Sequence, residues 1–299
     1  MRISERQKYD IAAKRVENAK ENNSKMMELL STQKRINRLS DDPVGLGQVV
    51  KHKNRIANYQ QYSRNIKFSK GFLERMEHSV EGMHEYLMRA KELTVAMCNS
   101  TYAADSRKSV AKEIKEIIDA VVSLANTTYG SKYLFSGFRT GTPPLSNQGQ
   151  YMGDDGCIYV QIDEGHFRQI NTQSRKLFEP DDVERQQGHF GMIQTLEIIY
   201  EGCISDDKDM LRVGMDELDF QMEKTSSYQA TLGAIQNAIE NTEKRVELSE
   251  ELGVQTASLI EDVDAYRASS DFKRTETVLQ SSLMSSNKLL QPSLLNFLQ

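Results

Sequence analysis

From Tyr59 onward, side chains recur at alternating steps of three and four residues: Tyr62, Ile66, Ser69, Leu73, Met76, Val80, Met83, Leu87, Ala90, Thr94 and Met97. Of that run only Ser69 and Thr94 are polar. A strand repeats every two residues and a lone surface helix every 3.6. A 3.5-residue period sustained this long predicts a supercoiled helix that is packed along its whole length. Extended back to Pro43 and on to about Asn99, such a helix is about 85 Å long at 1.5 Å per residue.

The rest of the chain has the same character. Its 299 residues contain only five prolines, Pro43, Pro143, Pro144, Pro180 and Pro292, so long stretches are free of helix breakers. With 38% hydrophobic and 27% charged residues and no Trp, the composition suits helices that bury one stripe and solvate the rest. The net charge of −5 is interleaved, as in Lys112, Glu113, Lys115 and Glu116, which reads as a solvated helix face. No basic stripe with interleaved aromatics is present, which argues against nucleic acid as a partner.

A second helix is expected after the polar Asn99-Ser100-Thr101 connection, capped by Asp105, striped by Val110, Ile114, Ile117, Val121 and Leu124, and stopped at Gly130. The short connection predicts an antiparallel hairpin. The N-terminal segment carries a thinner stripe, Tyr9, Ala12, Val16, Ala19, Asn23, Met26 and Leu30, and needs a partner to be stable. The C-terminal third offers Leu211, Met215, Leu218 and Met222, a break near Gly233, then Leu232, Ile235, Ile239, Val246, Ile260 and Val263. A weaker run follows through Leu279, Leu283 and Leu290, and the chain ends in Leu294, Leu295, Phe297 and Leu298. A free apolar tail is expected to be covered by something outside the monomer.

Between the helical halves glycine and proline rise. Ile158, Val160 and Ile162 lie between Asp154-Asp155-Gly156 and Asp163-Glu164-Gly165, the pattern of a strand bounded by turns, with Phe167 and Ile170 following. A short helix around Ile193, Leu196 and Tyr200 then returns the chain to the helical part. The expected fold is therefore mainly α, a long antiparallel helical rod or coiled coil formed by both chain ends, with a small β-rich insertion in the middle. Its parts are a terminal coiled-coil segment (1–40 and 254–299), a helical rod (41–141 and 188–253) and the insertion (142–187).

Catalytic chemistry is absent from the motifs. Glu81 and His84 form one E-x-x-H pair, whereas a di-iron bundle needs two and further glutamates. His78 and His84 are wrongly spaced for one face, and Asp154-Asp155-Gly156 lacks the later ligands of a calcium loop. There is no G-x-S-x-G, and Gly45-Leu46-Gly47 is no phosphate loop. Cys98, Cys157 and Cys203 are odd in number and far apart, giving neither a disulfide framework nor a metal spacing. No enzyme, cofactor or metal site is expected. The N-terminus, Met1-Arg2-Ile3-Ser4-Glu5-Arg6-Gln7-Lys8, lacks the apolar core of a cleavable signal, and no apolar run is long enough to span a membrane. Read alone, that places the chain in the cytoplasm, unless it is exported unfolded without a cleaved signal.

Two segments carry a resemblance. Arg35-Ile36-Asn37-Arg38-Leu39-Ser40-Asp41-Asp42-Pro43-Val44-Gly45 resembles the bend of the flagellin family, where an N-terminal helix ends and a long outer helix begins. Ser40 or Asp41 could cap that second helix and Pro43 suits its first turn. Leu124-Ala125-Asn126-Thr127-Thr128, followed by Tyr133-Leu134-Phe135-Ser136-Gly137-Phe138-Arg139-Thr140, is similar to the helix-exit turn of the hook-associated branch of that family. The resemblance implies a secreted structural subunit, exported by the flagellar type III apparatus and set at the hook–filament junction. Implied partners are neighbouring copies, hook-associated protein 1, flagellin and a cytoplasmic export chaperone. The implied assembly surface is Tyr9, Val16, Met26, Leu30, Leu279, Leu283, Leu290, Leu294, Leu295 and Phe297. The bend residues are Arg35, Asn37, Ser40, Asp41, Asp42 and Pro43, and the exit residues are Tyr133, Phe135 and Gly137. The same helices would serve a minor flagellin, and a cytoplasmic coiled-coil scaffold is the reading from another class.

Overall fold

The computed structural model describes residues 2–99, 104–146 and 149–290; side chains at 2–6, 8, 99, 104–105 and 289–290 are not described. Eight helices and four short strands follow in chain order: α1 (Arg2–Thr32), α2 (Pro43–Asn99), α3 (Ala104–Ala125), β1 (Thr128–Tyr129), β2 (Lys132–Tyr133), β3 (Tyr159–Asp163), β4 (His166–Gln169), α4 (Arg175–Phe178), α5 (Asp182–Gln187), α6 (Met192–Ser205), α7 (Lys208–Glu261) and α8 (Ala265–Leu290). The protein is mainly α, with long helices from both ends and a small strand-bearing insertion in the middle. The chain divides into two compact units, residues 1–58 with 249–299, and residues 59–248.

Residues 59–248 are built on the heptad stripe. Ile66, Leu73, Met76, Val80, Met83, Leu87 and Ala90 are fully buried, and the polar exceptions Ser69 and Thr94 are buried with them. Each exception settles its hydroxyl on the carbonyl one turn back, Ser69 on Asn65 at 2.8 Å and Thr94 on Ala90 at 2.7 Å, so the stripe stays satisfied. Ile114, Ile117 and Val121 of α3 and Leu211, Leu218, Leu232, Ile239 and Val246 of α7 complete one core. Arg89 reaches Glu113 at 2.8 Å, while farther back along α2 Gly82 faces Leu124, so α2 and α3 are antiparallel. The far-apart Cys98 and Cys203 meet this same core, a convergence that their spacing gave no sign of.

Three expectations are corrected. Helix α3 is described from Ala104, which puts Asp105 inside its first turn and not at the cap. It ends at Ala125, and Gly130 serves the β1–β2 hairpin turn at φ 63°. Gly233, near which the apolar stripe breaks, lies inside a continuous α7, where the packing of Leu232 and Ile239 outweighs the roughly 1 kcal/mol that a helical glycine costs. The bend is capped by neither Ser40 nor Asp41, as described below. The insertion contains the expected strand as β3, paired antiparallel with β4, together with the short helices α4 and α5.

Residues 1–58 and 249–299 are packed differently. Helix α1 lies antiparallel to α8, with Asn23 donating to Thr275 at 3.5 Å. Among the described residues the buried apolar side chains of this unit are Ala19, Ile36, Val49, Ala257 and Ala268, three of them alanines. Fully burying a larger aliphatic side chain is worth about 1.5–3 kcal/mol, and this unit has few such terms.

Candidate assembly site

The two halves of the chain break their helices opposite one another. On the N-terminal side α1 stops at Thr32 and Gln33 turns the chain at φ 55°. On the C-terminal side α7 stops at Glu261 and Asp264 starts α8, accepting from the Tyr266 and Arg267 amides at 3.0 and 3.1 Å. A helix end leaves carbonyls and amides without partners. Here the two ends satisfy each other: the Arg35 amide donates to the Glu261 carbonyl at 2.7 Å, and the Val263 amide donates to the Gln33 carbonyl at 3.1 Å. The Arg35 guanidinium adds a bond to the Ile260 carbonyl at 2.9 Å.

A buried carboxylate sits at this junction. Glu261 is 8% exposed, and Lys34 and Lys53 meet it at 2.8 and 2.7 Å. Burial alone would raise the Glu261 carboxyl, but the lysine hydrogen bonds outweigh it and hold the group below the usual carboxylate range. Lys34 is raised in turn by its hydrogen bond to Glu261.

Most of the bend residues are tied into local contacts. Asp41 closes the loop by accepting from the Asn37 and Arg38 amides at 3.1 and 2.8 Å. Asp42 accepts from the Gly45 amide at 2.8 Å and is the N-cap of α2, with Pro43 at the first helical position. Asp42, not Ser40 or Asp41, therefore caps the helix, because only it stands one place before Pro43. Ser40 is exposed. A Cβ on Gly45 would stand 2.4 Å from the Asp42 carboxylate and 2.8 Å from Ile36, which is why that position is glycine. Asn37 donates to the Lys34 carbonyl at 3.1 Å, and Arg35 faces Asp42 at 3.6 Å.

The side chains expected to meet other copies are uncovered or partly covered. Tyr9 is exposed, Val16, Met26, Leu30 and Leu279 are half-buried, and Leu283 is 47% exposed. Leu290 closes α8, with its side chain undescribed, and Leu294, Leu295 and Phe297 lie outside the described residues. Between α1 and α8 an open groove is lined by Ile11, Ala12, Val278 and a row of serines, Ser281, Ser282, Ser285 and Ser286.

The exit residues lie in residues 59–248. Phe135 is buried and meets Phe178 edge to face at 5.7 Å, and Tyr133 pairs with Thr128. Gly137, at φ 66°, lies so close to Asp154 that a Cβ would stand 2.3 Å from the Asp154 carbonyl. The Asp154 carboxylate then accepts from the Phe138 and Gly156 amides at 2.6 and 3.0 Å. The exit turn is thus fixed by an aspartate of the insertion. The Glu81 carboxylate lies 3.8 Å from His78, on its own helix.

A family model of the bacterial flagellin N-terminal helical region matches residues 3–140, and one of the flagellin C-terminal helical region matches residues 215–298. The chain belongs to the bacterial flagellin family. Flagellar hook-associated protein 3 of Escherichia coli is 27% identical to it, covering 94% of this chain and 95% of that protein. Flagellin of Bacillus subtilis is 26% identical, covering 86% of each. Among solved structures, FlgL of Bacillus cereus superposes with a TM-score of 0.61 at 22% identity, over 70% of this chain and 99% of that one. Flagellar hook-associated protein 3 of Legionella pneumophila gives 0.61 at 15% identity, over 71% and 98%. This family member is a structural flagellar protein and not an enzyme. No helix among the described residues is long and apolar enough to cross a membrane.

The Glu261 junction was missed in the sequence. Its one signal was Asp262-Val263-Asp264, an aspartate-rich step just ahead of a helix, which is the composition of a helix start.

Proposed function

We propose that this subunit is the adaptor between hook and filament, seated on hook-associated protein 1 and presenting its far side to flagellin. The observation that carries the reading is collinearity: the match to hook-associated protein 3 runs through the insertion as well as both helical ends, over 94% of this chain and 95% of that protein. The exposed apolar side chains of α1 and α8 support assembly with neighbouring copies. Export proceeds through the flagellar type III apparatus, with a cytoplasmic chaperone guarding the C-terminal stripe beforehand.

A clean deletion tests the reading. The expected outcome is bare hooks with flagellin shed into the medium. A second reading, a minor flagellin, is favoured by the 26% identity to a filament subunit over 86% of both chains. Short but normally attached filaments would support that one and refute the adaptor.

A further inference from the structure

The fold brings two of the three cysteines to one core. Cys157 stands apart in the insertion, with its sulfur facing the Asp155 carbonyl. Cys203, on α6, is 1% exposed and belongs to the core of residues 59–248. Cys98, in the last turn of α2, is half-buried and packs on that same core. Connectivity brings both to one end of the helices. Only residues 100–103 separate α2 from α3, and α3 packs along α6. Arg107, in the first turn of α3, pairs with Asp206, the C-cap of α6, at 3.2 Å. Cys203 lies just one turn back from Asp206. The two thiols also sense each other: burial first, and then the charge of an ionised Cys98, push the Cys203 thiol up to about 11.

We propose that Cys98 and Cys203 form a dithiol pair that closes to an intramolecular disulfide when the folded protein meets a small-molecule disulfide, tying the end of α2 to α6. The proposal rests on the exported reading only for where this happens, since thiols stay reduced in the cytosol and oxidise outside the cell. Cys98, the more accessible of the two, loses its proton and attacks one sulfur of the oxidant, releasing one thiol and leaving a mixed disulfide. The Cys203 sulfur, as thiolate, then attacks the Cys98 sulfur and displaces the second thiol. Two protein thiols are oxidised and one small disulfide is reduced to two thiols.

The test uses the reduced full-length protein carrying Cys157→Ser, incubated with oxidised glutathione and read by intact mass and peptide mapping after alkylation. The expected product has lost two hydrogens, retains no glutathione and yields a cross-linked peptide pair containing Cys98 and Cys203. Cys203→Ser should instead trap glutathione on Cys98. Closure should accelerate roughly tenfold per unit from pH 7 to 9, because Cys203 is protonated across that range. A stable glutathione adduct on Cys98 while Cys203 is present overturns the pairing, and so does recovery of both thiols unmodified. Mapping of the protein with both cysteines in place decides the matter even if the serine variant fails to fold. Because the assay is run on purified protein, its outcome is independent of whether the protein sits at the junction.

Discussion

Glu261→Gln removes one charge from the junction of the two helix breaks and keeps the side chain's shape. In the native protein the carboxylate accepts from Lys34 at 2.8 Å and from Lys53 at 2.7 Å, and is itself 8% exposed. A hydrogen bond to a charged group is worth about 1.5–3 kcal/mol when buried. Both lysine side chains are about half exposed, at 41% and 49%, which moves each bond toward the ~1 kcal/mol of a surface pair. Together they contribute about 2 kcal/mol, close to a 30-fold change in a local opening equilibrium. The assay is hydrogen exchange at the Arg35 and Val263 amides, whose bonds join the two breaks. Protection should fall about 30-fold at these two amides. The pH dependence follows from the shifts. Glu261 is lowered from 4.5, so its contribution is complete above that value and is lost as pH falls through the lower folded pKa. Lys34 is raised from 10.5, so its contribution is complete below that value and is lost as pH rises through the higher folded pKa. Protection should therefore be greatest between about pH 5 and 10. Unchanged exchange at Arg35 and Val263 in the variant would refute the argument that this carboxylate holds the breaks together.

Gly137→Ala places a Cβ at φ 66° and 2.3 Å from the Asp154 carbonyl, and should lower the melting transition of residues 59–248 by about 2 kcal/mol or more, read by circular dichroism. Gly45→Ala pushes on the Asp42 cap at 2.4 Å and should cost about 1–2 kcal/mol, seen as faster exchange in the first turn of α2. Leu283→Asp, at a 47% exposed position, should leave the melting of the free protein within about 0.5 kcal/mol while abolishing filament attachment, because the charge is buried unpaired only in the assembly. Limited proteolysis of the free protein should cut first at Lys14, Arg15 and Lys273, which are exposed on α1 and α8, and spare residues 59–248.

The long helices were legible because their signal is periodic. The 3,4 spacing calls for a helix packed along its length, and burial follows it residue by residue from Tyr62 to Met97. The strand expected around Ile158, Val160 and Ile162, observed as β3 (Tyr159–Asp163), was legible for the same reason, at a period of two. What the sequence hid depends on partners distant along the chain. Gly130 looks like the stop of α3 until it is seen to turn the β1–β2 hairpin. Gly137 shows its need for a positive φ only once Asp154 arrives from the insertion. Glu261, one glutamate among many, acquires its role from lysines more than two hundred positions earlier in the chain. The meeting of Cys98 and Cys203 at one core likewise arises from tertiary packing and leaves no spacing to read.

Where this subunit sits in the flagellum is measured directly by immunogold electron microscopy of intact flagella. The β3–β4 hairpin offers an exposed epitope, with Tyr159 at 60% and Phe167 at 63%. An antibody raised against residues 159–169 should place gold in one narrow band at the boundary between hook and filament, and nowhere else. Gold distributed along the length of the filament would contradict the adaptor and make the protein a filament subunit.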